Sequence, residues 1–279
     1  MTSEGRSHGA ITVINAMPCG IGSTIGVGLT TTAVFTPEGN GREVIIGNDS
    51  SEDTTMARIC IRRAYEHAGI PEPECWNLRT DSDIPVSRGL KSSSTACNAI
   101  LRAVFADIGV EMDPVDLIRI GVGCAREAKV TVTGSFDDAC GAGLGGLVIT
   151  DNKKDELLHH SDLEDHDVII YVPKYKIRKT GLPLEALHAV APEIRKALDI
   201  AEDRPFEAMT INGRVISAAS GVDNGVAERA MDMGALGAGM SGSGPAVAIV
   251  VPKGDGAGFA RDLGLEEGEI ILTSTRCGQ

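Results

Sequence analysis

The sequence predicts a two-domain α+β protein, and three observations point there. Its 279 residues are about two ordinary domains' worth of chain, at ~100–200 residues each. Strand-like and helix-like patterns alternate unevenly, which fits an α+β architecture better than a regular parallel sheet. Midway, residues 151–166 (DNKKDELLHHSDLEDH) are dense in charge and hold no glycine. The boundary is placed there, with an N-terminal unit over 1–155 and a C-terminal unit over 156–279.

The elements follow in order. Gly9 to Ala16 (GAITVINA) reads as a strand, and the glycine-rich stretch from Gly20 through Gly28 as a loop lining a cleft. Thr30–Phe35 and Glu43–Ile46 read as further strands. From Asp53 to His67, apolar residues recur at 56, 57, 59, 61, 64, 65 and 68, a helical spacing that Gly69 caps. The apolar run ACNAILRAVFADI is a helix ending before Gly109. Asp113-Pro114 pairs a good N-cap with proline at the first helical position and opens a helix to about Ala128. The β pattern returns with VTVT at 130–133 and LVIT at 147–150. Beyond the charged stretch come a strand at Val168–Val172 and helical patterns near 183–202, 206–219 and 225–236. Strands at 245–251 and 269–274 flank a last short helix.

Composition narrows the function. A chain that is 42% hydrophobic and 23% charged is not disordered. With 34 glycines and only 3% aromatics, backbone-rich loops surround an aliphatic core. The formal charge of −13 repels phosphodiester backbones and anionic bilayers, so nucleic acid and membrane are not expected partners. A small anionic ligand needs only a local pocket of donors. No apolar run reaches the ~18–20 residues of a membrane span, and MTSEGRSHG lacks the apolar core of a signal peptide. A cytoplasmic location is the expectation. Seven cysteines, an odd number with no CxxC, form neither a disulfide framework nor a zinc ribbon and read as buried thiols. The histidines show no metal spacing.

Three glycine-rich segments carry the functional signal. Gly20-Ile21-Gly22-Ser23-Thr24-Ile25-Gly26 follows a strand, but its continuation VGLTTTAVF is β-branched rather than helical. It is therefore not a dinucleotide fingerprint. The second, Pro85-Val86-Ser87-Arg88-Gly89-Leu90-Lys91-Ser92-Ser93-Ser94-Thr95, feeds the helix that ends before Gly109. A helix N-terminus presents unpaired N–H groups and the positive end of the dipole, a ready anion site. The serines add donors, and Arg88 and Lys91 add positive charge. It lacks the spacing of a Walker loop, so it is a different phosphate cradle, with a serine-rich helix cap as the bland alternative. The third, Gly237-Ala238-Gly239-Met240-Ser241-Gly242-Ser243-Gly244-Pro245, is a helix-to-strand turn whose backbone can approach a ligand closely. Asp137-Asp138 presents two adjacent carboxylates beside glycines, a candidate acid/base site, with an Asx-type turn as the alternative.

Pro85-x-x-x-Gly89-Leu90-x-Ser92-Ser93-Ser94 resembles the ATP-binding motif of the GHMP kinase superfamily. The run GMSGSGP at 239–245 resembles its C-terminal glycine-rich motif. With VINA at 13–16, TDSDIP at 80–85 and TVTGSFDDA at 131–139, the chain looks like the archaeal type of shikimate kinase, in order from about residue 9 to 274. The resemblance implies the two-domain GHMP kinase fold: an N-terminal domain like domain 2 of ribosomal protein S5 and an α/β C-terminal domain. It further implies ATP, Mg²⁺ and phosphorylation of a hydroxyl of shikimate to give shikimate 3-phosphate. Homoserine, mevalonate and pantoate kinases are the alternatives within the superfamily. A non-catalytic ligand-binding protein on the same fold is the alternative outside it.

In that family picture, residues 85–95 hold the triphosphate, with Lys91 and Arg88 neutralising it. Asp137 corresponds by motif to the aspartate that orients and deprotonates the acceptor hydroxyl. Asp138 is its competitor, because adjacent residues do not usually both face one cleft. Ser93 and Glu127 are the metal candidates. Asn15, Arg88, Ser241, Gly242 and Ser243 stand on the substrate side. The carboxylate of shikimate would want a basic residue, favouring arginine, and Arg178 in YKIRKTG or Arg88 would serve. Three positions depart from the family pattern. Ile21 stands where Lys or Arg is usual and Gly28 where Asp is usual, an opposite-charge pair lost together, and Thr95 replaces an alanine.

Overall fold

The glycines and β-branched residues after position 20 form one long strand rather than a loop, and the first sheet is built on it. The computed structural model describes residues 2–47, 53–85, 89–131, 134–175, 183–265 and 267–278. β2 (Ile21–Thr36) pairs antiparallel along one edge with β1 (Ser3–Ile14). Its other edge is shared: β5 (Leu147–Asp151) takes Ile21–Ile25, and β4 (Trp76–Ser82) takes Thr31–Thr36. β3 (Arg42–Ile46) runs parallel to β4, and β6 (Glu156–Ser161) runs antiparallel to β5. The glycines of β2 make room for a helix layer: a Cβ at Gly26 would lie 2.7 Å from the Cα of Gly145.

Four helices cover one face of this sheet. α1 (Thr55–Ala68) closes on Gly69 at φ 67°, and its face of Ala57, Cys60, Ile61, Ala64 and Tyr65 is buried. α2 (Ser92–Ile108) is apolar on most sides and lies deepest. α3 (Pro114–Glu127) begins as expected, with the Asp113 carboxylate accepting from the Val115 N–H at 2.8 Å. α4 (Phe136–Leu144) falls where the sequence offered only a turn.

The second sheet has the order β10–β7–β9–β8, all antiparallel: β7 (Asp167–Val172), β8 (Gly237–Met240), β9 (Val247–Val251) and β10 (Glu269–Ser274). The pattern near 183–202 resolves into α5 (Leu184–Ala189) and α6 (Ala191–Leu198), broken at Val190 ahead of Pro192. α7 (Pro205–Ser220), α8 (Gly225–Asp232) and α9 (Gly256–Leu263) complete this half. The two halves share a core. Ile11, Val13 and Ile25 of the first sheet pack in one buried cluster with Val168, Ile170 and Val250 of the second and with Met209 and Ile216 of α7. That shared core fixes the cleft between the halves.

Several expectations need correction. Residues 151–166 are not a linker throughout, because β6 within them pairs with β5. A division at 155/156 cuts that hairpin, whereas one at 162–166 leaves both sheets whole. Val130 and Thr131 lie outside any strand, and 132–133 fall outside the described residues. Ile21 and Gly28 stand seven positions apart on β2, roughly 20 Å at ~3.3 Å per residue, so these two departures do not replace one ion pair.

Candidate active site

Three chain segments converge where the two halves meet. The segment before α2 enters the helix through Gly89 at φ 82° and Lys91 at φ 68°. The loop is braced from the other half by the turn after β8. Ser241 Oγ donates to Gly89 O at 3.0 Å, and a Cβ at Gly89 would collide with the Ser241 carbonyl. Thr12 on β1 joins the two: its Oγ1 accepts from Gly242 N and from Lys91 Nζ, each at 2.8 Å. Lys91 is buried, and its ammonium also meets Asp138 Oδ1 at 2.6 Å.

The α4 N-terminus brings in the third segment. Asp137 is buried, between Gly22 of β2, where any Cβ would strike its Oδ2, and Asn152. The Asn152 amide grips it twice. Nδ2 donates to Asp137 Oδ1 at 2.6 Å, and Oδ1 accepts from the Asp137 N–H at 3.0 Å. Thr150 fixes that amide by donating to the same Oδ1 at 2.7 Å. Thr24 Oγ1 donates to the Asp137 carbonyl at 2.8 Å. Burial pushes the Asp137 carboxyl up to about 7, with the neighbouring Asp138 charge adding to the rise. Lys91 and the Asn152 hydrogen bond hold it down. Arg126 supports this arrangement from behind. It chelates Asp155 at 2.6 and 2.7 Å, donates to the Asn152 carbonyl at 3.3 Å, and packs where a Cβ on Gly134 would have to go.

The geometry thus sets the N-terminus of α2, a lysine–carboxylate pair and a buried carboxyl raised to about 7 side by side. Residues 55–146 match the model for the GHMP kinases N terminal domain, and residues 203–268 match that for the GHMP kinases C terminal. The chain is 33% identical over 275 residues to a shikimate kinase of Methanothermobacter thermautotrophicus, covering 96% of this chain and 94% of that one. It is 37% identical over 256 residues to a shikimate kinase of Methanosarcina acetivorans, covering 90% and 86%. The chain belongs to the shikimate kinase family of GHMP kinases. Its fold superposes on a crystal structure of mevalonate kinase with a TM-score of 0.80 over 100% of both chains, at 16% identity.

In this kinase the sequence-predicted residues are only partly gathered. Gly89, Lys91, Ser92, Ser93 and Ser94 lie at the start of α2, and Pro85 lies in the coil after β4. Val86, Ser87, Arg88 and Arg178 fall outside the described residues. Leu90 is a core anchor. Thr95 is turned away: its hydroxyl lies 3.0 Å from the carbonyls of His8 and Lys91. Asn15 is committed to structure, with Nδ2 donating to Gly242 O and Oδ1 accepting from Met17 N, both at 2.9 Å. Ser241 is wholly buried, whereas Gly242 and Ser243 keep partial exposure.

Glu127 does not fit a metal role. Its carboxylate is held by Arg62 and by Arg63, the latter at 2.8 Å, on the outer surface of α1 and α3. No group of three His, Cys, Asp or Glu suited to a metal occurs among the described residues. Glu127→Gln is therefore expected to leave kcat and the Mg²⁺ requirement within about twofold of the parent, since exposed ion pairs contribute little. A Mg²⁺ titration of the variant showing a steeply raised requirement would return Glu127 to the metal.

Sequence reasoning missed Thr12, Asn152 and Arg126. A threonine within the apolar run of β1 was a readable signal, because a buried hydroxyl needs partners. Asn152 and Arg126 sit in charged stretches that look like solvated surface.

Proposed function

We propose that this protein transfers the γ-phosphoryl group of ATP to a hydroxyl of shikimate, giving shikimate 3-phosphate and ADP. Whole-length likeness to proteins named shikimate kinase supports the acceptor. The chemistry rests on a single observation, a buried carboxyl near pKa 7 beside the lysine of a phosphate loop. The N–H groups opening α2 and the hydroxyls of Ser92, Ser93 and Ser94 receive the phosphates. Lys91, held by Thr12 and Asp138, balances the charge of the transferred group. Asp137 orients the acceptor hydroxyl and takes its proton; at a pKa near 7 it is a competent base at neutral pH. Asp138, bound to Lys91, sets the lysine rather than acting as base. Mg²⁺, when bound, neutralises phosphate charge. Such an ion would take most ligands from nucleotide and water, and Ser93 would be the protein hydroxyl to join them. A cytoplasmic location accords with this chemistry, and no described helix is long and apolar enough to cross a membrane.

A coupled ADP-release assay with shikimate, homoserine, mevalonate and pantoate tests the reading. Turnover is expected with shikimate alone, with a 3-phosphate in the product by ³¹P NMR. Turnover with homoserine and none with shikimate would overturn it.

A further inference from the structure

The charges around Asp137 are nearly all matched within the protein. Lys91 is paired with Asp138 at 2.6 Å, and Arg126 is chelated by Asp155. Lys154 reaches Asp151 at 3.4 Å and Glu156 at 3.9 Å. Lys153 differs: it makes no ion pair among the described residues, although its chain neighbours do.

Two placements bring Lys153 beside the segment that holds Asp137. Along the chain it follows Asn152, whose amide grips Asp137. Its backbone is fixed in the β5–β6 turn by the Asp151 carboxylate, which accepts from the Lys153 N–H at 2.9 Å. Across the sheet, its side chain lies over Gly20, two residues from the Gly22 that faces Asp137. A Cβ at Gly20 would be 2.6 Å from Lys153 Cε, 3.1 Å from Cδ and 3.2 Å from Cγ. Gly20 thus leaves a bed for the lysine stem. Gly20 is itself pinned, its carbonyl accepting from Asn152 N at 2.9 Å. The ammonium is carried on an exposed, flexible chain, a point charge that a carboxylate can recruit without dislodging any existing partner.

We propose that Lys153 binds the carboxylate of the acceptor and thereby sets the acceptor hydroxyl beside Asp137. The proposal rests on the functional reading above, in which the acceptor is a hydroxylated carboxylate. A neutral acceptor would gain nothing from this lysine, so Lys153 makes the site selective for anionic acceptors.

The test pairs Lys153→Met and Lys153→Arg with shikimate and with its methyl ester, using calorimetry for binding and initial rates for turnover. Lys153→Met is expected to raise both the Kd and the KM for shikimate about 10-fold, the scale of one charge-assisted hydrogen bond. The KM for ATP stays within about twofold, and Lys153→Arg recovers most of the loss. The methyl ester, lacking the charge, binds parent and Lys153→Met alike. An unchanged Kd for shikimate, an equal penalty on the methyl ester, or a matching rise in the KM for ATP would each overturn the proposal. A parent protein that neither binds nor phosphorylates shikimate overturns the functional reading first and this inference with it, a result distinct from any variant failure.

Discussion

Asp137→Asn is expected to lower kcat by about 10²–10⁴-fold, the range of a lost general base, with the KM for ATP near that of the parent. The substitution keeps the shape, and the new amide oxygen can still accept from Asn152 Nδ2. The same exchange is expected to stabilise the fold above neutrality. Burial raises the Asp137 carboxyl from 3.8 to about 7, so the folded protein holds this proton more tightly than the unfolded chain does. The stability that this gives is complete below about pH 4 and is lost as pH rises through about 7. At pH 8 the parent carries an ionised carboxylate in a buried site, and the variant does not. Thermal melts should show the variant ahead of the parent at pH 8 and level with it near pH 4. Activity loss accompanied by a lower melting temperature at pH 8 would mean that Asp137 is structural.

The fold was legible where local chemistry and tertiary packing agree. Asp113-Pro114 and Gly69 specify a helix start and a helix end by mechanisms within a few residues, and α3 and α1 follow them. It was illegible where packing overrides local preference. The glycines of β2 look like loop residues, yet Gly22 and Gly26 are glycine because Asp137 and the C-terminal end of α4 press on the strand there. β4, with the sequence WNLRTDS, hides its alternation behind polar residues that face outward at 77, 79 and 81. Only Trp76, Leu78 and Thr80 are buried. β6 reads as a charged linker for the same reason, since it is an edge strand and keeps one face in water.

The site divides along similar lines. Its motifs mark places where the backbone turns sharply, at Gly89, Lys91, Gly242 and Gly244, and those bends are local. Which side chain serves which purpose is set by long-range pairing. Thr95 belongs to the motif by position, but the His8 carbonyl on β1 claims its hydroxyl. Glu127 lies 10 residues before Asp137, and the two arginines of α1 occupy it. Asn152, outside every motif, holds Asp137 more closely than any motif residue does. Spacing along the chain could not reveal that contact, because it is made across the β5 end of the sheet.

The pair Lys91–Asp138 yields the sharpest test of this arrangement, because its two members act on Asp137 with opposite sign. Asp138 raises the Asp137 pKa and Lys91 lowers it. Lys91→Met is expected to cut kcat/KM by about 10²–10³-fold, the scale of one lost transition-state charge contact. The variant also leaves Asp138 unpaired at 18% side-chain exposure. Its remaining activity should rise with pH along a limb displaced to higher pH, since Asp137 then loses its proton later. Asp138→Asn should be milder in rate, and its limb should move to lower pH, since the like charge is gone. The double variant removes both influences, and its limb should fall between those of the two single variants. Displacements of the same sign, or limbs that do not move, would show that the titrating base is not Asp137. Phosphoryl transfer would then proceed through positioning and charge alone, as a loose transition state permits.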